Sequence, residues 1–153
     1  MSTSDLHGKS PYLAFEFLNE IGIIEQLSSN RFQRLLPDGL SNAGFTVLNH
    51  FVRLQKQVDS PANLARAFQV TKGAITNTLV RLEALELINV LADPDDGRAK
   101  RVSLTQKGID MREQVLALLE PELAIILDTI GPESLALALP VLRQVRSLLD
   151  ETR

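Results

Sequence analysis

Two helix-start signals, Ser60-Pro61 and Thr71, stand so close together that only one short helix fits between them. A Ser or Thr hydroxyl accepts a hydrogen bond from an orphan N–H of the first turn, and Pro is pre-organised for the first helical position. Leu64, Ala65 and Phe68 give the short helix one apolar face, and Gln69-Val70 is too brief for anything but a tight turn. The helix begun at Thr71 runs to about Leu85. Two helices joined by so short a turn form a helix-turn-helix. Immediately after it, LINVLADPDDGRAKRVSLT reads as two short strands around an Asp96-Gly97 turn.

The flanks are helical. Ser10-Pro11 repeats the start signal, and Leu13, Phe17, Leu18, Ile21, Ile24 and Leu27 recur at helical spacing, with Phe15 and Ile23 widening the stripe. LLPDGLS (35–41) is a turn. Ser41 then caps a helix carrying Phe45, Leu48, Phe51, Val52 and Leu54. Thr105 caps a long helix from 106 to about 128, expected to bend at Pro121. Gly131-Pro132 ends it, and a last helix reaches about 150, with an interruption expected at Pro140. Residues 115–149 hold 21 apolar residues in 35. That is more than helices covering one side of a small lobe require, and it points to a homodimer interface; a large monomer core is the alternative. The fold class is therefore mainly α with a small β-hairpin wing. A winged helix-turn-helix lobe (37–107) lies between an N-terminal dimerisation helix (1–36) and C-terminal dimerisation helices (108–153).

The helix after Thr71 has two contrasting sides. At 100° per residue, Thr71, Ile75, Leu79, Leu82 and Glu86 share one face. The other presents Gly73, Asn77, Val80 and Ala84, flanked by Thr76 and Arg81, and carries no acid until Glu83. Exposed helix faces ordinarily favour Glu, Lys and Gln. Small residues permit close approach to a surface, and Asn, Thr and an apolar side chain can each meet base edges in a major groove. Lys72 lies in the first turn, where a helix N-terminus already attracts phosphate. Arg98 beside the hairpin turn suits a narrow minor groove, with Asp96 placed to hold it by a charge-assisted bond. Strand alternation puts Lys100, Val102 and Leu104 on one face, and Arg101, on the other, is expected to reach phosphates. Asp93 and Asp95 read as solvated turn charges pointing away from phosphate.

Net charge is −3, but residues 60–107 hold seven Lys/Arg against five Asp/Glu, so the positive surplus sits in this block. The partner expected from these residues is double-stranded DNA, contacted by Thr71, Lys72, Gly73, Thr76, Asn77, Val80, Arg81, Arg98, Lys100 and Arg101. A winged-helix protein-interaction module with little or no DNA binding is the competing reading. The chain has no cysteine, which removes disulfides and thiolate chemistry, and neither His7 nor His50 lies in an HExxH pattern. No P-loop, GxGxxG or nucleophile–base pattern is present, so no enzyme, cofactor or metal is expected. The N-terminus has no leader-like pattern, and no apolar run approaches the roughly 18 residues of a membrane span. No membrane partner and a cytoplasmic location are expected.

LARAFQVTKGAITNTLVRLEALELI followed by DPDDGRAKRVSLTQKG resembles the MarR family of bacterial transcription regulators. The most specific residues are Asp96-Gly97-Arg98, running into Val102-Ser103-Leu104-Thr105 and closing at Gly108, while LSNAGFTVLNHF looks like the family's second helix. The resemblance implies a homodimer on pseudo-palindromic operators, a repressor in many members, with Arg98 entering the minor groove and Asp96 orienting it. It also implies a small-molecule effector bound between the dimerisation helices and the DNA-binding lobe. Tyr12, His7, His50, Arg53 and Arg112 are the polar candidates there, each with a competing solvated or packing role. The family's oxidant-sensing branch is excluded by the absence of cysteine. Glu86 stands where the family usually has Gly, so the left-handed Gly cap is expected to be missing. Asn77 replaces a cation common in the family, and Gly73-Ala74 is bare, which leaves the operator sequence open.

Overall fold

The computed structural model describes residues 11–151; Ser10 and His7 lie outside them. The elements run α1 (Pro11–Leu35), α2 (Asn42–Arg53), α3 (Pro61–Phe68), α4 (Lys72–Ala84), β1 (Ile88–Ala92), β2 (Lys100–Leu104), α5 (Gln106–Ile130) and α6 (Pro132–Glu151). They divide into two compact units, Met1–Val115 and Leu116–Arg153.

In the first unit, the caps read from the sequence form as expected. The hydroxyls of Ser41, Ser60 and Thr71 accept from the N–H groups of Gly44, Asn63 and Ala74, each at 3.1 Å. Helical periodicity then turns Val47, Leu48 and Phe51 of α2, Leu64 and Ala65 of α3, and Ile75, Leu79 and Leu82 of α4 into one core. Leu87, Ile88, Val102 and Val115 close it. Fully burying side chains such as Phe51, Leu64 and Leu82 stabilises the unit by about 1.5–3 kcal/mol each. Helix α1 is fastened to α2 by an edge-on Phe32–Phe45 contact at 4.9 Å and by Asn42, whose amide donates to the Ser29 carbonyl.

Three features differ from expectation. The helix end after α4 does have a left-handed cap: Glu86 takes φ 61°, its N–H donates to the Glu83 carbonyl, and the Leu87 N–H donates to the Leu82 carbonyl. This is the Schellman hydrogen-bond pattern, held by Glu in place of Gly. The Glu86 carbonyl accepts from the Thr105 hydroxyl and its carboxylate meets Lys107, so tertiary contacts hold the strained residue. Secondly, residues 93–99 form a longer loop than a two-residue hairpin turn, because pairing stops at Ala92↔Lys100. The Asp96 carbonyl accepts from the Ala99 N–H at 2.9 Å, which centres the tight turn on Gly97-Arg98, and Gly97 does not adopt a left-handed conformation. Thirdly, Asp59 pairs with Val102 as an antiparallel bridge, giving the hairpin a third, one-residue strand.

In the second unit, α5 and α6 continue through Pro121 and Pro140, so the interruption expected at Pro140 does not occur. Both prolines are exposed, so water can meet the carbonyl that each leaves unpaired. No residue of α6 is buried, and Leu137, Leu148 and Leu149 are open, as are Leu123, Ile125 and Ile126 of α5. Helix α1, in the first unit, likewise buries nothing and exposes Tyr12, Leu13, Phe15, Ile24 and Leu27. Among the described residues, no single helix is long and apolar enough to cross a membrane.

Candidate nucleic-acid interface

Helix α4 presents Thr71, Lys72, Gly73, Thr76, Asn77, Val80 and Arg81 to solvent while Ile75, Leu79 and Leu82 anchor it from beneath. Val80 is 59% exposed, so the face keeps an apolar spot among small and amide side chains. The Thr76 hydroxyl donates to the Lys72 carbonyl at 2.7 Å, which fixes its rotamer and leaves its oxygen available as an acceptor.

Beside this face a cleft of about 380 Å³ opens between α3, α4 and the hairpin, lined among others by Pro61, Lys72, Thr76, Arg98 and Lys100. Ser60-Pro61 and Thr71-Lys72 place two helix N-termini here, and the hairpin supplies two more cations from the opposite wall. Three cations and two positive helix ends suit a polyanion. Among the described residues, the side chains of Lys72, Arg98 and Lys100 have no carboxylate partner.

Asp96 acts on Arg98 differently from the expectation. Its Oδ1 accepts from the Arg98 backbone N–H at 3.0 Å, an Asx turn, and the guanidinium is left unheld. Asp96 therefore aims the backbone and leaves the Arg98 charge uncompensated. Arg101, expected to reach phosphates, has two carboxylates beside it. Its Nε lies 2.9 Å from Asp93 and its Nη2 3.5 Å from Asp95, on the strand face opposite Lys100. The two aspartates read as solvated are thus its partners. The Asp95 N–H, followed by the Arg101 guanidinium, holds the Asp93 carboxyl below its ordinary range.

Next to Ser60 of the cleft wall lies a buried carboxylate. Asp59, buried, accepts from Lys56 Nζ at 2.7 Å and from the Ser60 N–H at 2.8 Å, and meets His50 Nε2 at 3.2 Å. Burial alone would raise its carboxyl, but Lys56, the Ser60 N–H, His50 and Asn63 together hold it below the usual value. In sequence, Asp59-Ser60-Pro61 displays only a helix start; nothing in the spacing from His50 marks the pair. Among the polar candidates for an effector site, His50 is held here, and Arg112 donates to Asn49 Oδ1. Among the described residues, no three His, Asp or Glu side chains converge as a metal site.

A helix-turn-helix whose second helix is succeeded by a β-ribbon, with a cation-lined cleft between them, defines a winged helix-turn-helix protein. Residues 38–99 match the MarR family. The transcriptional regulator ZitR of Lactococcus lactis is 28% identical over 96 residues, covering 61% of this chain and 66% of that protein. The regulator BldR of Sulfolobus solfataricus superposes with a TM-score of 0.71 at 25% identity, over 96% of this chain and 99% of that one. A cysteine-to-serine mutant of E. coli MarR crystallised with operator DNA superposes at 0.63 and 25% identity, over 86% and 96%. The chain is thus similar to transcription regulators of this fold, and residues 38–99 carry the MarR-family match.

Proposed function

We propose that the chain acts as a homodimeric repressor on pseudo-palindromic operator DNA. Helix α4 lies in the major groove, where Thr76, Asn77 and Val80 meet base edges, with Gly73 allowing close approach and Arg81 at the rim. Lys72 and Lys100 contact phosphates, and Arg98 enters the flanking minor groove. The observation that carries this reading is the exposed face of α4, free of acid until Glu83 near its end, running into a cleft whose cations lack carboxylate partners. Residues 37–107 form the DNA-binding lobe. The open apolar faces of α1, α5 and α6 are the dimerisation surface, supplied by 1–36 and 108–153; a twofold dimer sets its recognition helices about 34 Å apart. A small-molecule effector, implied by the family, acts by changing that spacing. The cytoplasm is the compartment such a regulator works in.

Footprinting on the intergenic DNA beside the protein's own gene tests the reading. The expected result is protection of an inverted repeat whose half-sites are about one helical turn apart. Absence of binding to any duplex, even at low salt, would overturn it in favour of a protein-interaction module. Sedimentation at micromolar concentration checks the dimer.

A further inference from the structure

The hairpin has two electrically different sides. Arg98 and Lys100 line the cleft beside α4, whereas Arg101, one residue further along β2, projects from the other face. There it is met by two carboxylates, Asp93 at 2.9 Å and Asp95 at 3.5 Å. An exposed ion pair is ordinarily weak, because two mobile side chains must be ordered to form it. Asp93 is not mobile in that sense. Its N–H donates to the Ala99 carbonyl at 2.9 Å, its Oδ1 accepts from the Asp95 N–H at 2.9 Å, and its side chain is only 22% exposed. The acceptor for Arg101 is therefore built into the loop backbone. Opposite Arg101 on β1 stands Leu91, 65% exposed, which brings no compensating charge. The back of the hairpin thus carries one cation and two anions, and the front carries two cations without carboxylate partners.

We infer that Asp93 and Asp95 are specificity determinants that withhold Arg101 from DNA phosphates. The inference rests on the operator-binding reading and concerns how that site is tuned. Phosphate contacts raise affinity for every sequence alike, whereas groove contacts discriminate. A wing that reaches the minor groove through Arg98 while Arg101 is neutralised gains groove contact with little sequence-independent affinity. The net negative back face also disfavours a reversed docking of the wing.

The test compares wild type, Asp95→Asn, Asp93→Asn/Asp95→Asn, and that double variant with Arg101→Ala added. Each is titrated by fluorescence anisotropy against the footprinted operator and an unrelated duplex of equal length, over a salt series. Asn at 93 retains an oxygen acceptor for the Asp95 N–H, and Asp95→Asn alone leaves that backbone contact untouched. The double variant is expected to bind unrelated DNA roughly tenfold more tightly at about 50 mM salt, with the salt slope steeper by about 0.9 per wing. Asp95→Asn shifts both in the same direction by less, the operator-to-bulk ratio falls, and Arg101→Ala in the double variant restores the wild-type slope. Unchanged or weaker bulk-DNA binding in both acid variants overturns the inference while leaving operator binding intact. Wild-type protein that binds neither duplex overturns the operator reading, and this inference with it.

Discussion

Asp59 and Val102 exchange both of their backbone hydrogen bonds, at 2.9 and 2.8 Å, and this joins the hairpin to the residue that precedes α3. The Asp59 carboxylate then gathers Lys56, His50 and the Ser60 N–H, so one buried residue ties α2, the start of α3 and β2 together. Replacing it by Ala keeps the bridge but leaves His50 and the Ser60 N–H without their acceptor. A loss of about 2–4 kcal/mol is expected, lower than a full buried-pair disruption because Lys56 reaches water. Urea denaturation at neutral pH checks it: the midpoint should fall with the slope unchanged.

The same carboxylate makes stability depend on pH. Its folded pKa lies below the unfolded value of 3.8, so the unfolded chain takes up the proton first as pH falls. The stabilisation is fully present above about pH 5 and is lost progressively as pH falls through 3.8 towards the folded pKa. Melts between neutral pH and about pH 3 should therefore show an acid-side decline that is shallower in Asp59→Asn than in the wild type. Equal declines in the two proteins would assign the acid sensitivity to other groups.

Gly108 has a steric reason to be glycine. It is buried in the first turn of α5, its N–H donates to the capping Thr105 hydroxyl, and an added Cβ would overlap the Leu87 carbonyl. That carbonyl already accepts from the Thr105 N–H, so it cannot retreat without breaking the junction between β2 and α5. Gly108→Ala should cost roughly 2–3 kcal/mol. Circular-dichroism melting is the check, and an unchanged midpoint would mean that the junction relaxes freely.

The local rules of the fold are legible in the chain. Ser41, Ser60 and Thr71 announce their helices because a cap is satisfied within three residues, and Ile75, Leu79 and Leu82 announce a buried face because helical spacing is local too. Pairing across distance is what the chain does not display. Nothing near Asp59 says that it will meet Val102, and nothing near Asp93 says that Arg101 will fold back on it. The left-handed Glu86 escapes a sequence reading for the same reason: its strain is held by Thr105 and Lys107, far along the chain. Pro140 misleads in the other direction, since a local breaker is tolerated where solvent can satisfy the freed carbonyl. At the candidate interface, Lys72, Thr76, Arg98 and Lys100 are visible in sequence and meet around one cleft, whereas Arg101 belongs to the acidic side of the wing.

Glu86 offers a substitution that should raise stability. A residue with a Cβ is strained at φ 61°, a conformation Gly adopts without penalty. The ion pair to Lys107 is well solvated and contributes little against this. Glu86→Gly should raise the melting temperature by roughly a few degrees. Glu86→Ala, which loses the ion pair and keeps the Cβ, should not; if the two variants melt alike, backbone strain does not limit stability at this position.

Arg98 gives the sharpest test of the wing. Its guanidinium has no internal partner among the described residues, so removing it disturbs no folded contact, and Arg98→Ala should melt with the wild type. Operator affinity should nevertheless fall by about 1–3 kcal/mol per wing, because a minor-groove cation is lost from a region of concentrated negative potential. Arg98→Lys separates charge from shape. Lysine restores the point charge, and with it the wild-type salt slope. It does not restore full affinity, because its more strongly hydrated ammonium enters a narrow groove less readily. An Arg98→Ala protein that binds the operator as tightly as wild type at matched salt would remove the wing from the interface, leaving α4 alone to read the DNA.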